Sequence, residues 1–357
     1  MKTIASAVLA STFLLGACSL SGENDRAEDE AGGSTPDSPA GTGEVVLVTH
    51  DSFSLPKKLV ARFEQETGYT LVQSPAGDGG ELTNKLVLTK GDPLGDVAFG
   101  IDNTFASRAL DQGVFTPYAP ELPEGAEDER LPGDVEGALT PIDHASVCVN
   151  VDEKWFADEG LEPPATFEDL ADPAYEDLFV TPGATTSTPG LAFMLATIGH
   201  FGDDWLGYWE DLLANGAKVV KGWEDAYYVD FTFSGGDRPI VLSYDSSPAF
   251  TVPKGGGDST TSALLDTCFE QVEYAGVLEG AANPEGAQAV VDWLLSPEVQ
   301  AALPTSMYVF PVDDSARLPK DWAAHAVQPE ETEEVDPAEV ASMRQEWLQE
   351  WTDVVTR

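Results

Sequence analysis

Positive charge is what this chain has least of: 18 Lys and Arg stand against 63 Asp and Glu, a formal net charge of -45. Nucleic acid and anionic lipid surfaces both need a basic face, so neither is expected as a partner. A cationic ligand gains from long-range attraction, but acids spread along the whole chain serve solubility equally well. The charge therefore supports a cationic ligand only weakly. Histidine occurs 4 times, without ligand spacing, so neither a metal centre nor a cofactor is expected. Cysteine occurs at positions 18, 148 and 268 only. Long apolar runs are missing too: the stretch from Ile4 to Ala17 is too short to span a bilayer, and no run of spanning length follows it.

What is present begins with that short run. Lys2, the apolar stretch and Leu15-Gly16-Ala17-Cys18 fit an export signal, and the last four residues resemble the lipobox of bacterial lipoproteins. The resemblance implies a signal peptide over 1–17, acylation of Cys18 and attachment to the membrane through that lipid. Residues 18–43 are mostly Gly, Ser, Pro, Asp and Glu with one Leu, too little apolar surface to bury, and read as a flexible linker.

From Glu44 the chain alternates strand and helix patterns. Glu44 to Thr49 is a strand, Leu55, Leu59, Val60 and Phe63 repeat at helical spacing, and Tyr69 to Gln73 is a second strand. A helix over Leu82 to Leu88, a buried strand over Asp96 to Phe99 and a helix over Phe105 to Leu110 complete a three-layer α/β lobe. A turn-rich acidic stretch, Pro117 to Gly137, precedes a strand over Ala145 to Val151. A capping box at Thr166 to Asp169, helices over Leu191 to Phe201 and Trp205 to Leu213, and a strand over Ile240 to Tyr244 follow in a second lobe. Phe269 to Ala275 reads as the return strand, with helices over Glu285 to Leu295 and Ala338 to Val355. The expected organisation is a first lobe from 44–143 and 275–357, a second from 144–274, and a two-segment hinge over a cleft. Cys148 and Cys268 fall on strands that should run between the lobes, and a disulfide joining them is expected. A free cysteine nucleophile is the alternative, and would make the chain an enzyme.

Four segments gather polar, aromatic, Gly and Pro residues where loops should leave strands: 76–80, 186–190, 221–227 and 243–248. Asp78 and Asp245 offer carboxylates, Trp223 and Tyr244 offer π faces, and none of the four carries an arginine. That chemistry suits a flat, cationic, heteroaromatic ligand. Ser187 and Thr188 precede Pro189, so their hydroxyls and the free N–H groups of the helix start could take an acceptor atom or a phosphate.

At these residues the sequence resembles the thiamine-binding proteins of bacterial thiamine ABC transporters, over nearly all of 45–357. The shared motifs, in order, are Asp51-Ser52-Phe53, Asp78-Gly79, Ser187-Thr188-Pro189-Gly190-Leu191, Lys221-Gly222-Trp223 with Ala226-Tyr227, Val241-Leu242-Ser243-Tyr244 with Ser247-Pro248-Ala249, Pro304-Thr305, Pro311-Val312, and Arg344-Gln345 with Trp347, Glu350-Trp351 and Arg357. The resemblance implies a two-lobe, type II periplasmic-binding-protein-like fold. It also implies capture of thiamine, or its phosphates, for a membrane permease and its ATPase. The ligand-binding positions it implies are Asp78, Gly79, Ser187, Thr188, Trp223 and the strand end Tyr244, Asp245, Ser246, Ser247 and Pro248, with ring positions at Phe250 and Tyr308. Phe250 and Tyr308 stand where the family has Tyr and Trp, His50 where it has Tyr, and Asp245 where it has Thr. Two other readings stay open: a thiaminase-like enzyme on the same fold, and a binder of another cationic or metal-bound solute, for which Tyr227-Tyr228 would be a ferric candidate.

Cys18→Ala should leave the chain unprocessed or release it from the membrane fraction; unchanged fractionation would remove the lipid anchor from this reading.

Overall fold

The computed structural model describes residues 43–357, so the expectations for the signal peptide, Cys18 and the linker up to residue 42 lie outside the described residues. The strands are β1 (Gly43–Thr49), β2 (Tyr69–Pro75), β3 (Val97–Asp102), β4 (Phe115–Thr116), β5 (Thr140–Asp152), β6 (Phe179–Pro182), β7 (Lys218–Val220), β8 (Ile240–Tyr244), β9 (Thr261–Leu278) and β10 (Phe310–Pro311). They form one sheet in the order β2-β1-β3-β9-β5-β8-β6-β7, with β4 on β9 and β10 on β5. β1 is parallel to β2 and β3, and β6 is parallel to β7 and β8. These two parallel wings are joined by β9 and β5, which run antiparallel to each other and to their neighbours β3 and β8.

Strands buried on both faces read as continuous apolar runs, and the first wing shows why. Side chains alternate in direction along a strand. Val45 and Leu47 thus join one core with Phe63 and Val290, while Val48 joins another with Leu82 and Ala106 on the opposite face. The second wing is built likewise: Leu242 packs with Phe193 and Trp209, and Val241 packs with Tyr227 and Phe231. The capping box at Thr166 and Asp169 forms as its pattern requires.

Two features depart from the sequence expectations. β9 has 18 residues and runs far upstream of Phe269. The helix Pro337–Val355, assigned by sequence to the first lobe, puts Val340, Trp347 and Trp351 into the second wing's core, with Trp351 edge-on to Trp209 at 5.5 Å. Its Arg344 donates to the carbonyls of Thr104 and Phe105, both at 3.1 Å, and so ties this helix back to the first wing.

The β5/β9 ladder shifts register between Val147 and Val149. There Cys148 and Cys268 are joined by a disulfide, Cα atoms 4.2 Å apart, closing a loop of 120 residues. By the chain-entropy account a loop of that length stabilises the folded state by about 5 kcal/mol. Reduction should lower the thermal midpoint markedly, and native oxidised protein should titrate no thiol at these positions. Two reactive thiols there would remove the brace from the account.

Candidate functional site

The four segments singled out by sequence each sit at the C-terminal end of a parallel strand: 76–80 after β2, 186–190 after β6, 221–227 after β7, and 243–248 at the end of β8. Open α/β sheets bind ligands at that edge. Because the two wings point these edges at each other, the loops enclose a cavity of about 470 Å³ with walls from both sides.

Asp78 is the tightest connection across it. Its side chain caps the helix Gly79–Leu88, Oδ1 accepting from Gly79 N at 2.7 Å and from Thr188 N at 3.1 Å, while Oδ2 accepts from Trp223 N at 2.8 Å. Two helix starts, Gly79–Leu88 and Thr188–Phe201, thus share one carboxylate, where their positive dipole ends favour it. Burial raises the Asp78 carboxyl above its ordinary pKa, and the N–H bonds oppose that rise. Such close approach needs Gly79, since a Cβ there would come within 2.0 Å of Thr188 Oγ1. Glu81 N donates to Thr186 O at 3.0 Å and Lys221 Nζ pairs with Glu81 at 2.9 Å, reinforcing the same seam. Asp78 was expected to pair with a ligand; both of its oxygens are instead engaged in holding the seam.

The aromatic wall is set by the second wing. The indole of Trp223 stacks on Tyr227 with centroids 5.0 Å apart and planes 19° from parallel, and its Nε1 donates to Ser243 Oγ at 3.0 Å. Ser243 in turn bonds Ser247 Oγ at 2.7 Å, and Ser247 Oγ accepts from Tyr244 N at 3.1 Å. One face of the indole is therefore fixed against protein while Trp223 lines the cavity. Phe250 and Tyr308 meet edge to face at 5.1 Å. Tyr308 holds φ 58, a left-handed conformation uncommon for a bulky residue, and its carbonyl accepts from Ser246 Oγ.

Of the residues expected at the site, Asp78, Gly79, Thr188, Trp223, Tyr244, Ser247, Phe250 and Tyr308 line the cavity. Ser187, Asp245, Ser246 and Pro248 are buried in the layer behind this lining. Asp245 finds no donor for either oxygen, and burial pushes its pKa up to about 7. Sequence reasoning missed Glu273 and raised Tyr228 only as half of a ferric candidate; both are on the wall. Tyr228 sits in the wide helical turn Asp225–Asp230, edge-on to Trp223 at 5.3 Å. Glu273 had only a weak signal, an acid between Val272 and Tyr274 at the start of the strand's apolar end, because Glu270 and Gln271 stand just before it. His50 lines the cavity 3.6 Å from Glu273, and burial lowers its pKa to about 4, so the imidazole is neutral. Gly100, at φ +93, leaves room for it: a Cβ there would lie 2.2 Å from His50 Cδ2.

A cleft between the two wings, lined by rings and carboxylates, defines a binding protein for a small solute. The chain belongs to the bacterial extracellular solute-binding proteins, whose family pattern matches residues 49–301. It is similar to the thiamine-binding periplasmic protein of Salmonella typhimurium LT2, 30% identical over 321 residues that cover 88% of this chain and 94% of that one. The thiamine-binding periplasmic protein of Escherichia coli K12 is 29% identical over 319 residues, covering 88% and 94%. A solved periplasmic thiamin binding protein superposes with a TM-score of 0.78 at 28% identity, covering 91% of this chain and 100% of that one. The fold is thus the two-lobe, type II fold of periplasmic binding proteins.

Gly79→Ala should force the seam apart: small-angle scattering should give a larger radius of gyration than wild type. A variant as compact as wild type, with the same thermal midpoint, would show that the contact at Gly79 imposes no constraint.

Proposed function

We propose that this chain captures thiamine outside the cell and delivers it to the permease of an ABC importer with its ATPase, held at the membrane by lipid on Cys18. The observation that carries this reading is the cavity wall itself. Trp223, Tyr244, Phe250 and Tyr308 present rings beside Glu273 and Asp51, and the one ammonium on the wall, that of Lys221, is already paired with Glu81. Thiamine is a flat cation of two rings, and a desolvated cation over an indole contributes on the order of 2 kcal/mol. Closure excludes water and strengthens both the ring and the charge interactions. The relatives named for thiamine, aligned over nearly their whole length, support the same solute. The two expected lobes would close over it by bending β5 and β9.

The competing readings fit the geometry less well. Thiaminase-like chemistry needs a thiolate on the wall, whereas Cys148 and Cys268 are bonded to each other away from it. A ferric site on Tyr227 and Tyr228 would need both phenols free to converge, but Tyr227 is held in the Trp223 stack. A polyamine would gain the cation–π attraction but has no flat ring to stack on the indole.

Thiamine should quench tryptophan fluorescence, and Trp223→Ala should weaken binding at least tenfold, since about 1.4 kcal/mol is a factor of ten. Trp347→Phe and Trp351→Phe should leave the affinity unchanged. Thiamine recovered intact after long incubation supports binding over catalysis, and wild-type affinity in Trp223→Ala would overturn the site.

A further inference from the structure

Glu273 sits inside β9, and its lateral neighbours are also acids: Asp102 is its registered partner on β3 and Asp143 its registered partner on β5. The three carboxyls make one row across the three central strands of the sheet. Asp102 is 0% exposed, Glu273 6% and Asp143 0%. Like charges directly opposite one another on neighbouring strands repel, and burial away from water makes ionisation costlier still.

Little around the row can offset that repulsion. No lysine or arginine forms an ion pair with any of the three among the described residues. Arg344 senses Asp102, but its guanidinium is spent on backbone carbonyls. His50, from the loop after β1, stands 3.6 Å from Glu273, and burial keeps it neutral at physiological pH. Tyr244, at the end of β8, is held un-ionised by burial and then by the charges of Glu273, Asp78 and Asp102. Asp78, at the helix start, adds a further negative group.

The three acids differ in what they are given. Asp102 accepts from Thr104 N at 2.7 Å, from Phe105 N at 3.3 Å, and from the hydroxyls of Thr104 and Thr188. It is the member best equipped to hold a negative charge. Asp143 meets no donor at either oxygen. A buried carboxyl without a donor, directly opposite a second carboxyl, is satisfied by a proton held between the two. Burial accordingly pushes Asp143 up to about 7 and Glu273, with the Asp143 charge beside it, well above the ordinary range. Of the three, Glu273 lines the cavity.

Resting on the thiamine reading above, we infer that the Asp143–Glu273 pair is the counter-ion of the bound cation, which enters by displacing the proton the two carboxyls share. The balance is one cation taken up and one proton passed to solvent, with no covalent change. Affinity therefore strengthens as pH rises, by up to tenfold per unit while the empty pair still holds its proton and the filled pair does not. The stability of the empty protein runs the other way. A carboxyl raised in the folded state binds its proton more tightly there than in the unfolded chain. That contribution is complete below the ordinary carboxylate range and is lost as pH rises through about 7.

The test is calorimetric titration of thiamine into the full-length chain at pH 7, in phosphate and in Tris, whose ionisation heats differ. The expected difference corresponds to release of about one proton per thiamine bound. Glu273→Gln should bind at least tenfold more weakly, with the buffer difference gone. Asp143→Asn, which removes the carboxyl that shares the proton and leaves burial to raise Glu273, should bind thiamine more weakly and release measurably less than one proton at pH 7. Should Glu273→Gln fail to fold, Asp143→Asn carries the test alone. Tight thiamine binding by the wild type with equal heats in both buffers, proton uptake instead of release, or release undiminished in Asp143→Asn would overturn the coupling while leaving the thiamine reading in place. Absence of thiamine binding by the wild type would overturn both.

Discussion

The carboxylate of Asp78 accepts hydrogen bonds from Gly79, Thr188 and Trp223, which come from three loops on two sides of one cleft. The rest of the site depends on that convergence. Trp223 is positioned through its main chain by Asp78 and through its indole by Ser243, so the ring is oriented at both ends. Thr188, drawn in by the same contact, supplies a hydroxyl to Asp102. A group on the rim thereby helps decide which acid of the buried row carries charge. The bonds run to backbone N–H groups, so what the sequence must supply is an acceptor at 78 and the absence of a side chain at 79.

Division of labour among the acids explains a site that would otherwise be self-defeating. A cavity rich in carboxylates attracts a cation at long range, but carboxylates packed together in a dry interior destabilise the fold. The molecule resolves this by placement. Asp78 and Asp102 are surrounded by donors, Asp51 accepts from Gly77 N at 2.9 Å, and Asp143, without a donor at either oxygen, is the member of the row beside which a proton has to sit. The rings of Trp223 and Tyr244 then add attraction that carries no net charge and does not compete for hydrogen bonds.

Much of this was legible in the chain, where the signals were local. The strand over Ile240 to Tyr244, the capping box at Thr166 and the loops rich in Gly, Pro and aromatic residues all emerge where short-range pattern puts them. What was not legible depends on neighbours distant in sequence. The ring spacing of Trp347 and Trp351 defines a helical face but not its partner, and that partner is the second wing's core. Aspartate before two glycines reads equally well as a cap and as a ligand group; only the arrival of Thr188 and Trp223 decides between them. Asp102, Asp143 and Glu273 look unrelated along the chain, because strand order alone makes them adjacent. The upstream half of β9, with Asp266 and Thr267 interrupting its apolar pattern, gave no periodicity to follow.

The disulfide between β5 and β9 has a consequence for when the protein becomes itself. Its 120-residue loop spans nearly the whole second wing, so the brace is absent until both cysteines have been made and have met an oxidant. Such bonds form outside the reducing cytosol. A chain awaiting export therefore remains easier to unfold, which suits passage through a narrow channel. Its full resistance to unfolding arrives only in the compartment where a solute-binding protein works, so the covalent link acts as a clock as well as a brace.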